Sequence, residues 1–296
     1  MNKDNAILKP WYECISNYDY GEMNSRLKRF EPEKEERWAN PSPYLETISK
    51  RQLPDSNKQV KRRKIIDRHR PFFRERPNEV FMWTLAEITV ATRLALRGKR
   101  PFAMRHELYN KTCLPWFIGQ RNKGLKDIAL VSSMMMAGNS DLLGKWNAAC
   151  ICWYKNGEIS RVTVAYDNNV GKLLIDEVLL KGRRFAKPNF PDNGTEFHEA
   201  LLDIADVAPD EYWQNYFSSA VAVMESKDCV YDKQPNMFYL PKPYFKYMLA
   251  VHNSIISGGM GSWNDTPIAG SKEFRIVTTE LAYQKCRAML YAVNNC

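Results

Sequence analysis

From Pro77 to Arg97 the chain reads PNEVFMWTLAEITVATRLALR, followed by Gly98. Val80, Phe81, Trp83, Leu85, Ile88, Val90, Leu94 and Leu96 cover most of a helical circumference, so this spacing predicts a helix buried on nearly all sides. Proline near the first helical position and glycine after the last are the matching punctuation. Between Lys145 and Asp167 the pattern changes to short β-rich runs, KWNAACICWY and ISRVTVAY, joined by Lys155-Asn156-Gly157-Glu158. Asn-Gly tolerates positive backbone angles, so the segment predicts a β-hairpin closed by a tight type I′ turn. Leu173 to Leu180, LLIDEVLL, fits a third strand or a short helix equally well.

After the turn residues Pro191-Asp192-Asn193-Gly194 the pattern becomes helical. Thr195 is the expected cap of a helix that places Phe197, Leu201 and Ile204 on one face. Pro209-Asp210-Glu211 opens a second, with a stripe of Trp213, Phe217, Ala220, Val221 and Met224. Pro243 opens a third, through Phe245, Met248, Leu249 and Ile255 to Gly258. Ser271 caps a fourth, turning Leu281, Ala282, Cys286, Met289 and Val293 inward. The expectation is an α+β fold in three parts: an aromatic and basic N-terminal arm (1–76), a central α/β domain with a β-hairpin (77–190), and a small helical C-terminal domain (191–296).

Composition narrows the class. The 296 residues are 44% hydrophobic, 26% charged and 12% aromatic. These are ordinary globular values, which exclude collagen-like, low-complexity and wholly disordered chains. No apolar run reaches the roughly 18 residues of a membrane span. The opening MNKDNAILKPWYEC lacks the apolar core of a secretory signal. A cytoplasmic protein is expected, in the host cell's cytoplasm if the chain is phage-encoded.

Charge is concentrated rather than spread. The whole chain carries +9. Nine basic residues lie between Lys58 and Arg76, opposed only by Asp67 and Glu75, so this run holds +7 of the total. Such a run suits phosphate neutralisation, docking on an acidic protein surface, or simply a solvated connector. Trp11, Tyr12, Tyr18, Tyr20, Phe30, Trp38 and Tyr44 punctuate the segment before it. Aromatics at that density suggest an arm that packs on something. Arginines and aromatics are the usual anchors of interfaces. Arg62, Arg63, Arg68, Arg70, Phe72 and Phe73 are therefore the expected partner-binding residues.

Candidate chemistry is sparse. Cys14, Cys113, Cys150, Cys152, Cys229, Cys286 and Cys296 include no CxxC pair, so no zinc ribbon is expected. Cys150 and Cys152 share one strand face, as two small core residues would. Cys296 is expected to be accessible. Neither His198, adjacent to Glu199, nor the other histidines form a helical ligand pair. Arg100 and His106, like Arg63 and His69, fit a loose arginine–histidine spacing that would serve a metal-independent ribonuclease. Asp176-Glu177 with Lys181 is a partial match to a metal-dependent nuclease, without the E-x-K spacing. There is no Walker A, Rossmann or GxSxG motif. No cofactor or metal is expected.

Ser257 to Asp265 reads SGGMGSWND. Gly258, Gly259 and Gly261 permit a tight reversal after a helix, and Asn264 and Asp265 suit the turn that follows. This string resembles the GGMGS-[FL]-ND signature of a family of small, uncharacterised bacterial domains, with Trp263 where that family has Phe or Leu. The likeness covers roughly residues 195–268, with an insertion around Cys229–Pro243. The resemblance implies an immunity-like interaction role without an activity to carry over.

The functional expectation is a non-catalytic protein that binds a macromolecular partner. In concrete form it is a phage-encoded inhibitor that blocks a bacterial defence complex, acting as an oligomer. The alternatives are a nucleic-acid-binding protein using residues 58–76, or a nuclease.

Overall fold

The computed structural model describes residues 77, 79–98, 116–134, 143, 147–167, 172–182, 185–227, 240–256, 263–266, 268–269 and 271–296. The fold is α+β: helix α1 (Glu79–Leu96), strands β1 (Leu125–Ser132), β2 (Ala148–Tyr154), β3 (Ile159–Asp167) and β4 (Lys172–Leu179), then helices α2 (Gly194–Val207), α3 (Glu211–Glu225), α4 (Lys242–His252) and α5 (Lys272–Asn295). A helical segment over 116–122 precedes β1. The strands form one antiparallel meander in the order β1-β2-β3-β4.

α1 is buried nearly all round, as its apolar circumference requires. Met82, Leu85, Ile88, Val90 and Leu94 lie within the core beside buried Thr84, Thr89 and Arg93. The polar side chains enter with partners. The Thr89 hydroxyl donates to the Leu85 carbonyl at 2.7 Å and lies 3.2 Å from the Cys150 sulfur. Arg93 donates to the Ile128 carbonyl at 3.2 Å. Burial of a polar group without such bonds costs free energy, so these contacts fix the seating of α1 on the sheet.

β1 and β2 are buried on both faces, and the alternation expected of a half-exposed strand is lost in them. LLIDEVLL resolves as strand β4, pairing Val178 with Arg161 and Leu174 with Ala165. The β2–β3 hairpin forms where expected, but its turn differs. Tyr154 N–H donates to the Glu158 carbonyl and Gly157 N–H to the Tyr154 carbonyl, which closes a three-residue loop. Gly157 has φ 83°, whereas Asn156 has no positive φ. A type I turn followed by a left-handed glycine replaces the two-residue I′ turn. The Asn156 side chain selects it by accepting the Glu158 N–H at 3.0 Å.

The helical part holds three of its four starts. Asp210 and Ser271 cap α3 and α5 by accepting the N–H of Trp213 and Phe274, and Pro243 lies in the first turn of α4. α2 begins one residue before Thr195, which is exposed inside the first turn. Asp192 instead accepts the Gly194 N–H at 2.8 Å. α4 stops at His252, short of Ile255 and Gly258. The Ser254 hydroxyl donates to the Ala250 carbonyl, the acceptor that a continuing helix would fill with its own N–H. Ser254 N–H turns to Val251, a tighter last turn. Ile255 is left exposed.

One continuous cluster of buried side chains runs from α1 through the sheet into α2, α3, α4 and α5. α5 is the tie. Its Cys286 sulfur lies 3.6 Å from both the Ser132 hydroxyl and the Met82 sulfur. The Asn193 amide, just before α2, donates to the Gln284 carbonyl and side chain.

Candidate functional site

The two edges of the sheet are treated differently. Backbone pairing alternates along each strand of an antiparallel ladder. Ser133 N–H bonds to Asn147, so β1 turns the backbone groups of Ile128, Leu130 and Ser132 outward. All four groups of Ile128 and Leu130 are taken by side chains. Asn294 of α5 accepts the Leu130 N–H and donates to the Leu130 carbonyl, both at 2.9 Å. Asp127 accepts the Ile128 N–H at 2.9 Å, and Arg93 donates to the Ile128 carbonyl. Lys187, at 2.7 Å from Asp127, completes the seal.

At the other edge, Leu180 N–H bonds to Ile159, so β4 turns the backbone groups of Leu173, Ile175, Glu177 and Leu179 away from β3. No strand among the described residues pairs with them. Leu174, Val178 and Leu179 are 47%, 39% and 41% exposed. Leu174, Asp176 and Val178 share one face of the strand. Asp176 holds Arg161 at 3.2 Å and Thr163 at 3.4 Å, both from β3.

The opposite face of β4 meets a buried polar network. Tyr154 Oη lies 2.5 Å from Gln120 Oε1 and 2.9 Å from both Glu177 Oε1 and Ser160 Oγ. Gln120 and Lys123 donate to Glu177 Oε2 at 2.5 and 3.3 Å. Burial alone would raise the Glu177 pKa; the hydrogen bonds from Tyr154, Gln120 and Lys123 outweigh it and hold the carboxyl below its usual range. Burial pushes the Tyr154 hydroxyl well up. This network ties the 116–122 helix to β2, β3 and β4. It does not bring Asp176, Glu177 and Lys181 together as a metal site, and no metal-holding group of three His, Cys, Asp or Glu occurs among the described residues.

A hollow of about 620 Å³ lies at the start of α2, lined by residues including Asp192, His198, Glu225, Lys246 and Tyr247. Four of its polar groups form two pairs. His198 Nε2 is 2.9 Å from Glu225, and Tyr247 donates to Asp192 at 2.6 Å. Burial and Asp192 raise the Tyr247 hydroxyl's pKa. Gly194 admits that hydroxyl, because a Cβ there would lie 2.5 Å from it. His198 thus pairs with Glu225 rather than with its neighbour Glu199.

Arg62, Arg63, Arg68, Arg70, Phe72 and Phe73 lie outside the described residues, as do Arg100, His106 and His69. So do Gly258, Gly259 and Gly261; Asn264 and Asp265 sit in a 3-10 turn with Trp263. Trp263 is fully buried and central. Its ring packs on Phe274 at 5.1 Å, Phe217 at 5.0 Å and Trp213 at 5.4 Å, and its indole N–H donates to Thr278 at 2.7 Å. Cys150 and Cys152 are core residues, as expected. Burial pushes the Cys150 thiol up to about 12, against the pull of the Thr89 hydrogen bond. Cys296, expected to be accessible, is buried with its thiol donating to the Val293 carbonyl at 3.2 Å.

The open β4 edge was not foreseen from the sequence. Its signal was legible in LLIDEVLL, where apolar residues on both faces flank two carboxylates in mid-strand. No helix among the described residues is long and apolar enough to cross a membrane. Compared with protein-family models, curated proteins and solved structures, the chain matches none.

Proposed function

We propose that this chain is a non-catalytic protein that binds a protein complex and blocks or organises it. The observation that carries the reading is the contrast between the two sheet edges. Proteins blunt exposed edges with charge, proline, bulges or a covering element, because unpaired backbone groups recruit other chains. Here side chains cover the outward groups of Ile128 and Leu130 on β1, while β4 leaves Leu174, Val178 and Leu179 exposed beside backbone groups that no strand among the described residues pairs with. An edge that no described strand covers, in a fold that spends side chains on its other edge, suits association. The resemblance of residues 195–268 to an immunity-like family points the same way. The concrete form is a phage-encoded inhibitor of a bacterial defence complex, with the arginines and phenylalanines at 62–73 as further anchors.

The test is affinity capture from bacterial lysate with the tagged full chain, with and without nuclease, read by mass spectrometry. A stoichiometric protein partner that survives nuclease is the expected result. Recovery of nucleic acid, with every protein lost after nuclease, would replace this reading by nucleic-acid binding through the +7 run at 58–76.

A further inference from the structure

Resting on the protein-binding reading, we infer that β4 takes up an extended partner segment as a fifth strand, and that Asp176 selects a segment with a basic residue between two apolar ones. The geometry of the free edge sets this requirement. Leu173, Ile175, Glu177 and Leu179 turn their backbone groups outward. An incoming strand forms its hydrogen-bonded pairs with those residues. The positions between them, Leu174, Asp176 and Val178, then become non-hydrogen-bonded pairs. In that pair type the facing Cα atoms are only about 4.5 Å apart in an antiparallel ladder, and side chains touch most closely. The three side chains that would read the partner are therefore an exposed leucine, a carboxylate and an exposed valine, in that order.

The carboxylate is held but not consumed. Arg161 and Thr163 reach Asp176 from the β3 side, and its side chain keeps 60% of its surface exposed. A basic side chain arriving from the open side adds an opposite-charge cross-strand pair, whereas an acidic one meets like charge. Apolar residues two positions either way cover Leu174 and Val178. The matching partner segment reads apolar-x-basic-x-apolar.

Three antiparallel self-pairing registers of β4 are disfavoured; the one centred on Leu174, which sets Lys172 opposite Asp176, is left to the dimer measurement below. Antiparallel self-pairing centred on Asp176 sets it opposite its own copy, and pairing centred on Glu177 does the same for Glu177. Centring on Ile175 sets Leu174 against Asp176. Each arrangement opposes like charges or wastes the apolar positions, which is the way inward-pointing charges protect edge strands from self-association.

The probes are two fluorescein-labelled, end-capped synthetic peptides, Ser-Val-Thr-Arg-Thr-Val-Ser and the same peptide with Glu in place of Arg, titrated with the full chain by fluorescence anisotropy. The Arg peptide is expected to bind roughly tenfold tighter than the Glu peptide. Asp176→Lys, a change at an exposed position, is expected to invert that preference. Leu179→Pro removes one outward N–H and leaves the β3 ladder intact; it is expected to weaken the Arg peptide roughly fivefold. Equal affinity for the two peptides, no binding of either, or a preference unchanged in Asp176→Lys overturns the inference. So does a concentration-dependent dimer of the peptide-free chain that Leu179→Pro abolishes. If the lysate partner is captured while the peptides fail, only this inference falls; if no protein partner is captured, the wider reading falls.

Discussion

Asn294, near the end of α5, makes two hydrogen bonds with a single residue of the sheet, Leu130, accepting its N–H and donating to its carbonyl. A side-chain amide here does the work of a neighbouring strand. Both bonds are buried, so removing the amide leaves two backbone groups without partners. Asn294→Ala is expected to lower stability by about 2–4 kcal/mol, read as the urea midpoint at unchanged m-value. Asn264→Ala, on an exposed side chain of the 3-10 turn, is expected to move it by less than about 0.5 kcal/mol. Equal effects would remove Asn294 from its role as the seal of β1.

Trp263 gives the second prediction. It is the hub of an aromatic cluster. Trp263→Ala is expected to cost about 3–5 kcal/mol. Trp263→Phe keeps the stacking on Phe274 and loses the bond to Thr278, so about 1–2 kcal/mol is expected. Chemical denaturation of both variants, beside Thr278→Val, separates ring packing from the hydrogen bond.

Thiol accessibility is the third. Cys150, Cys152, Cys286 and Cys296 are buried free thiols, and burial holds the Cys150 proton up to a pKa of about 12. Thiolate is the reactive form. Alkylation of the native chain at pH 8, read by peptide mass spectrometry, is expected to leave these four unmodified until denaturant is added. Rapid labelling of Cys296 in the native state would show its burial to be wrong.

The Glu177 network predicts an acid limb in stability. The folded pKa is held below the unfolded one, so its contribution is fully present above the unfolded value of about 4.3 and is lost as pH falls through the folded value. Wild-type stability should therefore decline below about pH 4.3 more steeply than that of Glu177→Gln. Parallel curves of urea midpoint against pH would contradict the network.

Much of this fold was legible where one residue type has one physical use. Asp210 and Ser271 cap helices because a short acceptor can reach the third N–H, and the stripes on α3 and α5 are buried as their spacing requires. The failures fall where residue type and spacing permit more than one outcome. Ile255 looked like one more helical apolar residue, yet the Ser254 hydroxyl ends α4. Asn156-Gly157 permits two hairpin turns, and a side-chain bond to Glu158 decides between them. β1 was not anticipated, since a strand covered on both faces lacks alternation. The burial of Cys296 comes from packing that its position in the sequence does not encode. The β4 edge needed the ladder register, which separates groups facing β3 from groups facing out.

The claim that the open β4 edge is the binding surface is tested most directly by capturing partners after nuclease treatment with the wild-type chain, Leu179→Pro, and a variant with Arg62, Arg63, Arg68 and Arg70 changed to alanine. The account predicts a stoichiometric protein partner on the wild type that Leu179→Pro loses while its circular dichroism stays unchanged, with a smaller loss for the arginine variant. Full recovery of that partner on Leu179→Pro, or capture of nucleic acid alone, would contradict it.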